Sequence, residues 1–333
     1  MTTQQLSIRP LRFAPILQTR IWGGTRLAET LGKQTATIAP PVGESWELSG
    51  LPGNESRVVD GPAANQSIIE LATRHRAELL GDIVDDEHAF PLLIKFLDAE
   101  QPLSVQVHPK PQAAAAAGVA VKHEAWYIVD AEPGAEVYIG LNPGVTADDI
   151  RRTANTPAMR DLIQTRKAKA GDCFYLPSGT LHALGAGLLV AEVQTPSDTT
   201  YRIYDWDRVD ANGKSRELHI AEALDNIRYD VADAEIAQTR TTLDATGHTR
   251  QRVCACERFS IDELSADAPF TWTRRQSTFA IWMILSGAAT LSGDGFEVTA
   301  RRGDTLLLPA AMANMKVATS AGFRTLEALP PVR

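Results

Sequence analysis

Gly171-Asp172-Cys173-Phe174-Tyr175-Leu176-Pro177 and Gly303-Asp304-Thr305-Leu306-Leu307-Leu308-Pro309 share the pattern GDxxxLP, 132 residues apart. Each copy opens on a turn dipeptide, continues as an apolar strand and stops at a proline, as a repeated antiparallel β module does. The chain has 333 residues, more than the usual single core of about 100–200 residues. Two modules explain that length better than one enlarged core. The reading is mainly β, with two barrel units and a few short helices. The boundary falls after the polar segment ending near Gly247, giving an N-terminal unit over 1–247 with helical insertions. The C-terminal unit covers 248–333 and is open to completion by N-terminal strands.

Outward from the repeat, PLLIKFL (91–97), SVQV (104–107), AWYIV (125–129) and EVYIG (136–140) read as further strands. Ser67-Ile68-Ile69-Glu70 starts an amphipathic helix to Leu80, with Gly81 beyond its end. Shorter helices are expected from Thr146 and within 216–227. The alanine run at 113–117 fits either a helical turn or a small-residue connection.

Lys plus Arg total 33 against 41 Asp plus Glu, a formal charge of -8. That balance argues against a broad nucleic-acid surface and leaves room for a local basic pocket. Cys173, Cys254 and Cys256 are an odd set, and Cys254-Ala255-Cys256 lacks the two-residue spacer of a redox or zinc pair. A reduced, cytoplasmic chain is expected. Met1–Gln5 carries no basic segment followed by an apolar run, and no stretch of about eighteen apolar residues occurs, so neither secretion nor membrane spanning is expected.

Within LSVQVHP, strand alternation puts Gln106 and His108 on one face, offering an amide oxygen and an imidazole nitrogen to a metal or forming a hydrogen-bonded pair. In Lys122-His123-Glu124, alternation pairs Lys122 with Glu124 and turns His123 the other way. Glu124 either belongs to a charged strand entrance or adds an anionic oxygen to that pair; His182, after the Ser178-Gly179-Thr180 turn, is either a structurally satisfied histidine or a second nitrogen ligand. Arg202 lies in EVQTPSDTTYRIYDWDR, either as an oxyanion-binding fork or paired with Asp205 or Asp207. Tyr201, Tyr204 and Trp206 read as a sugar-facing wall or as sheet packing.

Together LSVQVHP, KHEAWYI, LPSGTLHAL and EVQTPSDTTYRIYDWDR resemble the type I mannose-6-phosphate isomerase family in its short bacterial form, with support from GESWELS (43–49) and PLLIKFL. The resemblance implies two cupin barrels (double-stranded β-helix, jelly-roll) and interconversion of mannose 6-phosphate and fructose 6-phosphate through a cis-enediol-like intermediate. It implies one Zn2+ per chain on Gln106, His108, Glu124 and His182, and a catalytic Arg202. Lys122 is implied in proton transfer or positioning, and Ser104 and Lys95 near the phosphate. Longer members have HKPE where this chain has VKHE, so His123 inherits no role. Implied partners are a small-molecule sugar phosphate, with no nucleic acid and no membrane; the chain is a monomer or homodimer. Competing readings are a sugar-binding or regulatory cupin without turnover and an iron-dependent oxidase or dioxygenase.

The repeat offset carries His182 onto Asn314, and aligning AIWMIL (280–285) with EAWYIV (124–129) sets Glu124 opposite Ala280. The second module therefore lacks the ligand set. Elemental analysis of the metal-loaded protein is expected to give one specific ion per chain; two fully specific ions would refute this asymmetry.

Overall fold

In the computed structural model, which describes residues 6–83, 88–210, 212–245 and 247–331, the strand Leu188–Gln194 shows how the layers arise. Leu188 and Val190 face one core, and Leu189, Ala191 and Val193 another. A strand buried on both faces needs apolar residues at odd and even positions alike. Leu93–Ala99 repeats the arrangement, with Leu97 on the first side and Ile94 and Phe96 on the second. The residues 1–5 that bear on a leader lie outside the described part.

These strands are central in a six-stranded antiparallel sheet ordered Ile16–Gly24, Val42–Leu48, Leu93–Ala99, Leu188–Gln194, Glu124–Ala131, Cys173–Leu176. One face packs on a five-stranded sheet ordered Tyr201–Tyr204, Val105–Val107, His182–Leu184, Glu136–Leu141, Ile163–Lys167, around Trp126, Ile128, Ile139 and Leu184. The outer face of the second sheet is covered by the helices Ala147–Thr153 and Ile220–Asn226. The other face of the six-stranded sheet meets a seven-stranded sheet ordered Leu11–Arg12, Thr305–Leu308, Ala280–Ser286, Phe323–Leu329, Ser260–Ala266, Thr249–Ala255, Thr241–Asp244. That sheet packs in turn on Phe270–Thr273, Asn314–Thr319, Ala288–Gly293 and Phe296–Arg301.

The GDxxxLP echo is structural. Cys173–Leu176 pairs with the Trp126 strand, and Thr305–Leu308 with the Trp282 strand. In each half the tryptophan indole donates to a glutamate directly across the ladder: Trp126 to Glu192 at 3.0 Å and Trp282 to Glu327 at 3.0 Å.

The expected cupin barrels are not found: none of the four sheets closes, since the first and last strands of each are not partners. Two of the edges around the cavity-bearing sheets are capped instead, as exposed strand edges commonly are. The Cys173–Leu176 edge meets Ala237 through a bridge from Phe174. The Tyr201–Tyr204 edge meets His219, whose backbone N–H donates to the Arg202 carbonyl at 2.7 Å. Both caps belong to the segment that follows the last strand of the five-stranded sheet.

Ser67 and Glu70 form the capping box expected of them, but the helix ends at Arg74 and restarts over Arg76–Leu79, broken at His75 with φ -132°. The break lets Leu79 and Leu80 both enter the core beside Leu71. Gly81, at φ +70°, then docks on the other half of the chain: a Cβ there would lie 1.9 Å from the Ser277 carbonyl oxygen. The alanine run is helical over Pro111–Ala117 and stopped by Gly118 in the left-handed region.

The interior of the second half is closed by charge. Arg250, on Thr249–Ala255, bonds Glu327 and lies 3.2 Å from Asp262, all three buried. Arg250→Ala leaves buried Glu327 without its cation and Asp262 with Arg252 alone, and is expected to destabilise by about 3–5 kcal/mol. A denaturant midpoint shift equivalent to less than about 1 kcal/mol would show that the network does not hold this half together.

Candidate metal centre

Val105–Val107 lies between His182–Leu184 and Tyr201–Tyr204, and the register sets Gln106 directly beside His182 on one side and Arg202 on the other. Three side chains from three strands thus meet on one sheet face. Glu124 begins a strand of the facing sheet and projects into the same space, since Trp126 and Ile128, two and four residues on, line the core between the sheets.

His108 Nδ1–H donates to the Thr199 carbonyl at 2.9 Å, and His182 Nδ1–H to the Thr180 carbonyl at 2.8 Å. Both neutral rings therefore present an Nε2 lone pair. Those lone pairs converge on Glu124 Oε2, at 3.3 Å from His108 and 3.5 Å from His182. His108 Nε2 and Glu124 Oε2 have no hydrogen-bond partner among the described residues. Lone pairs facing a carboxylate oxygen repel unless a cation stands among them, and the three candidate ligand atoms lie within 4.8 Å of one another. The donor set fits a metal ion.

Electrostatics keep these groups in ligand form. Burial, then the Lys122 charge, lowers His108 to about 4, and burial lowers His182 as well. Burial acts against the Glu124 carboxylate most strongly, but Lys122, His108 and His182 together outweigh it and hold the group well below the usual range; Lys122 Nζ is 2.7 Å from Glu124 Oε1. Gln106 directs its amide nitrogen, not its oxygen, toward His182 Nε2, at 3.3 Å, while its Oε1 accepts from Ser104 Oγ at 3.2 Å. A half-turn of the amide exchanges the two and offers the oxygen as a fourth ligand.

Above the centre opens a cavity of about 440 Å³ whose walls include Lys95, Ser104, Gln106, Lys122, Glu124 and Arg202. The structure therefore gathers all eight residues singled out in the sequence, with the two histidines beneath the floor. Arg202 Nε donates to Ser104 Oγ at 3.2 Å and Nη1 to the Glu217 carbonyl at 2.7 Å. Asp205 is engaged by Arg208 and Arg216 instead. His123 turns away, as alternation requires, toward Tyr175. Tyr204 is buried in the outer core beneath the helices, with Tyr201 and Trp206 packed against it, and none of the three lines the cavity. Trp22 and Trp126 are its aromatic walls.

Sequence reasoning missed Glu44 and Glu192. Lys95 stands between them, 3.2 Å from Glu192, and despite burial both carboxylates hold its ammonium charged. Arg20 also serves Glu44, with Nε 2.8 Å away, which leaves Glu192 the less compensated carboxyl, and burial pushes its pKa up. The available signal was one carboxylate inside the apolar run Leu188-Leu189-Val190-Ala191-Glu192-Val193.

A family model described as phosphomannose isomerase type I, catalytic domain, matches residues 11–143. The mannose-6-phosphate isomerase ManA of Bacillus subtilis (strain 168) is 35% identical over 326 residues, covering 94% of this chain and 96% of that one. A Streptococcus mutans serotype c mannose-6-phosphate isomerase is 39% identical over 217 residues, 65% of this chain and 67% of that one. A crystal structure of the mannose 6-phosphate isomerase from Bacillus subtilis superposes with TM-score 0.86 at 32% identity, over 96% of this chain and 99% of that one. A zinc-bound mannose 6-phosphate isomerase structure shares the fold, with TM-score 0.76 at 16% identity over 97% of this chain and 100% of that one.

His108 and His123 are both lowered to about 4, chiefly by burial, whereas an unfolded-chain histidine titrates near about 6.5. Between those values the unfolded chain binds more protons, so stability is full above about 6.5 and falls as pH drops toward about 4. Denaturant midpoints of metal-free protein should fall over that window, less steeply in His123→Asn; equal slopes in the two proteins would contradict this assignment.

Proposed function

The chain belongs to the type I mannose-6-phosphate isomerase family, and on that premise we propose how its cavity interconverts D-mannose 6-phosphate and D-fructose 6-phosphate. One observation carries the reading: two imidazole lone pairs and a carboxylate oxygen converge at the floor of a cavity walled by Lys95, Lys122 and Arg202. The ion assigned is Zn2+, one per chain, on Gln106, His108, Glu124 and His182. One carboxylate among three neutral ligands leaves such a centre net positive. Bound there, the metal supplies a Lewis-acidic charge toward substrate oxygens.

Aldose–ketose interconversion moves a proton between adjacent carbons while negative charge grows on the neighbouring oxygens, through a cis-enediol-like species after ring opening. Arg202 is oriented by Ser104 and the Glu217 carbonyl, so its guanidinium offers remaining N–H donors to a developing oxyanion without reorganising. Lys122, held at 2.7 Å by Glu124, positions the reacting end and moves or holds a proton at Nζ. Glu192, the less compensated carboxyl of the cavity, is a second proton carrier. Lys95 and Ser104 bind near the phosphorylated end, and their local positive charge works within an acidic chain because it is concentrated in a cleft.

We assign this chemistry to residues 1–247 and a structural role to 248–333. The support is what the second half puts at the corresponding positions. Ala280 stands where Glu124 does, counting from the paired tryptophans, and the adjacent inward-facing pair Trp272 and Met315 occupies the place of Gln106 and His182. Asn314, reached by the simple offset, is exposed; its neighbour Met315 points inward. Among the described residues no helix is long and apolar enough to cross a membrane, and three unbonded cysteines suit a reducing cytoplasm.

Converting fructose 6-phosphate while following mannose 6-phosphate, with glucose 6-phosphate as off-path control, tests the assignment. Arg202→Ala should lower kcat about 10²–10³-fold, and Lys122→Met should slow exchange of the carbon-bound hydrogen with solvent. Unchanged turnover in Arg202→Ala would remove its transition-state role.

A further inference from the structure

A second cavity, of about 270 Å³, has His123 in its wall, the residue that turns away from the metal centre between Lys122 and Glu124. Prolines 91, 111, 196 and 331 line it too, and Arg258 arrives from the other half of the chain. The mechanism above uses none of these groups.

His123 is only 8% exposed, and its Nε2 has no hydrogen-bond partner among the described residues. Its Nδ1 lies 2.7 Å from the Tyr175 hydroxyl. That hydroxyl also neighbours the Cys256 thiol, but an imidazole nitrogen is a far better acceptor than a thiol sulfur, so Tyr175 O–H donates to Nδ1. The neutral ring then carries its proton on Nε2. Buried donors are seldom left without an acceptor. The Arg258 side chain is 44% exposed, and its ion pair is with the adjacent, 71% exposed Glu257, 3.3 Å away, a contact too weak to occupy it.

We infer that this cavity binds a small organic carboxylate, which accepts from His123 Nε2–H, pairs with Arg258 and lays its apolar body on the prolines. One guanidinium and one neutral donor match a singly charged planar head better than a phosphate dianion. Occupancy reaches the catalytic cavity directly. The His123 backbone N–H donates to Thr195 Oγ1 at 3.0 Å, and the Thr195 N–H donates to the His123 carbonyl at 3.0 Å. A shift of this segment therefore moves Lys122 and Glu124 together.

The probe is sodium benzoate, titrated at constant ionic strength into metal-loaded protein while the imidazole 15N resonances and kcat/KM are followed, with benzamide as the uncharged control. Expected are saturable movement of the His123 Nε2 resonance by benzoate alone, a parallel change in kcat/KM, and an apparent Kd raised about tenfold or more by Arg258→Ala. Arg258→Ala should leave kcat unchanged without benzoate. The inference is overturned by no saturable movement at His123, by equal binding of benzamide, or by an Arg258→Ala variant that binds benzoate as well as the parent. Inhibition that survives in Arg258→Ala with no movement at His123 would place benzoate in the catalytic cavity, and overturns it too. The NMR arm does not depend on turnover, so its failure is separable from failure of the isomerase assignment.

Discussion

Oε2 of Glu124 is the atom on which the side chains of the candidate metal centre converge. It is buried, faces two imidazole lone pairs and has no proton donor among the described residues. An isolated carboxylate in such a place would neutralise itself by taking up a proton. Lys122 at Oε1 prevents that, and both histidines are fixed by backbone carbonyls in the tautomer that cannot donate toward it. The metal-binding character of the centre follows from this enforced mismatch.

Delivering those groups to one point requires two sheets, because one strand cannot present ligands from opposing directions. Gln106 and His182 come from one sheet and Glu124 from the other, with the Trp126 and Ile128 layer holding the sheets apart. The remaining sheets add a base: one apolar layer backs the six-stranded sheet against the seven-stranded one. Tyr127, whose hydroxyl donates to Glu263 at 2.7 Å, fastens the two across that layer. It neighbours Trp126 in sequence, so the cavity face and the structural face alternate along one strand.

The duplicated halves show what polar interiors demand. In the first, Glu44, Lys95 and Glu192 surround an open cavity and share too few cations for full compensation. In the second, the corresponding ladder carries Arg250, Asp262 and Glu327, with Arg252 also on Asp262 and two tryptophan N–H groups on Glu327, and Trp272 and Met315 help fill the remaining space. The same strand order surrounds an open cavity in one half and a packed apolar cluster in the other.

From the sequence alone came the mainly β content, the two-part repeat and the ligand-capable residues with their faces, because alternation and turn chemistry are local. Alternation put Lys122 and Glu124 together and turned His123 away, and the structure agrees. Sheet closure was not legible: whether a strand edge pairs with the facing sheet or is capped by a distant segment depends on where Ala237 and His219 return, and no local pattern encodes that. The same limit hid the Lys95–Glu192 pairing and the removal of Tyr204 and Trp206 to the outer core. Register and the choice of sheet face are decided by long-range packing, and only the tertiary structure brings those distant strands to one place.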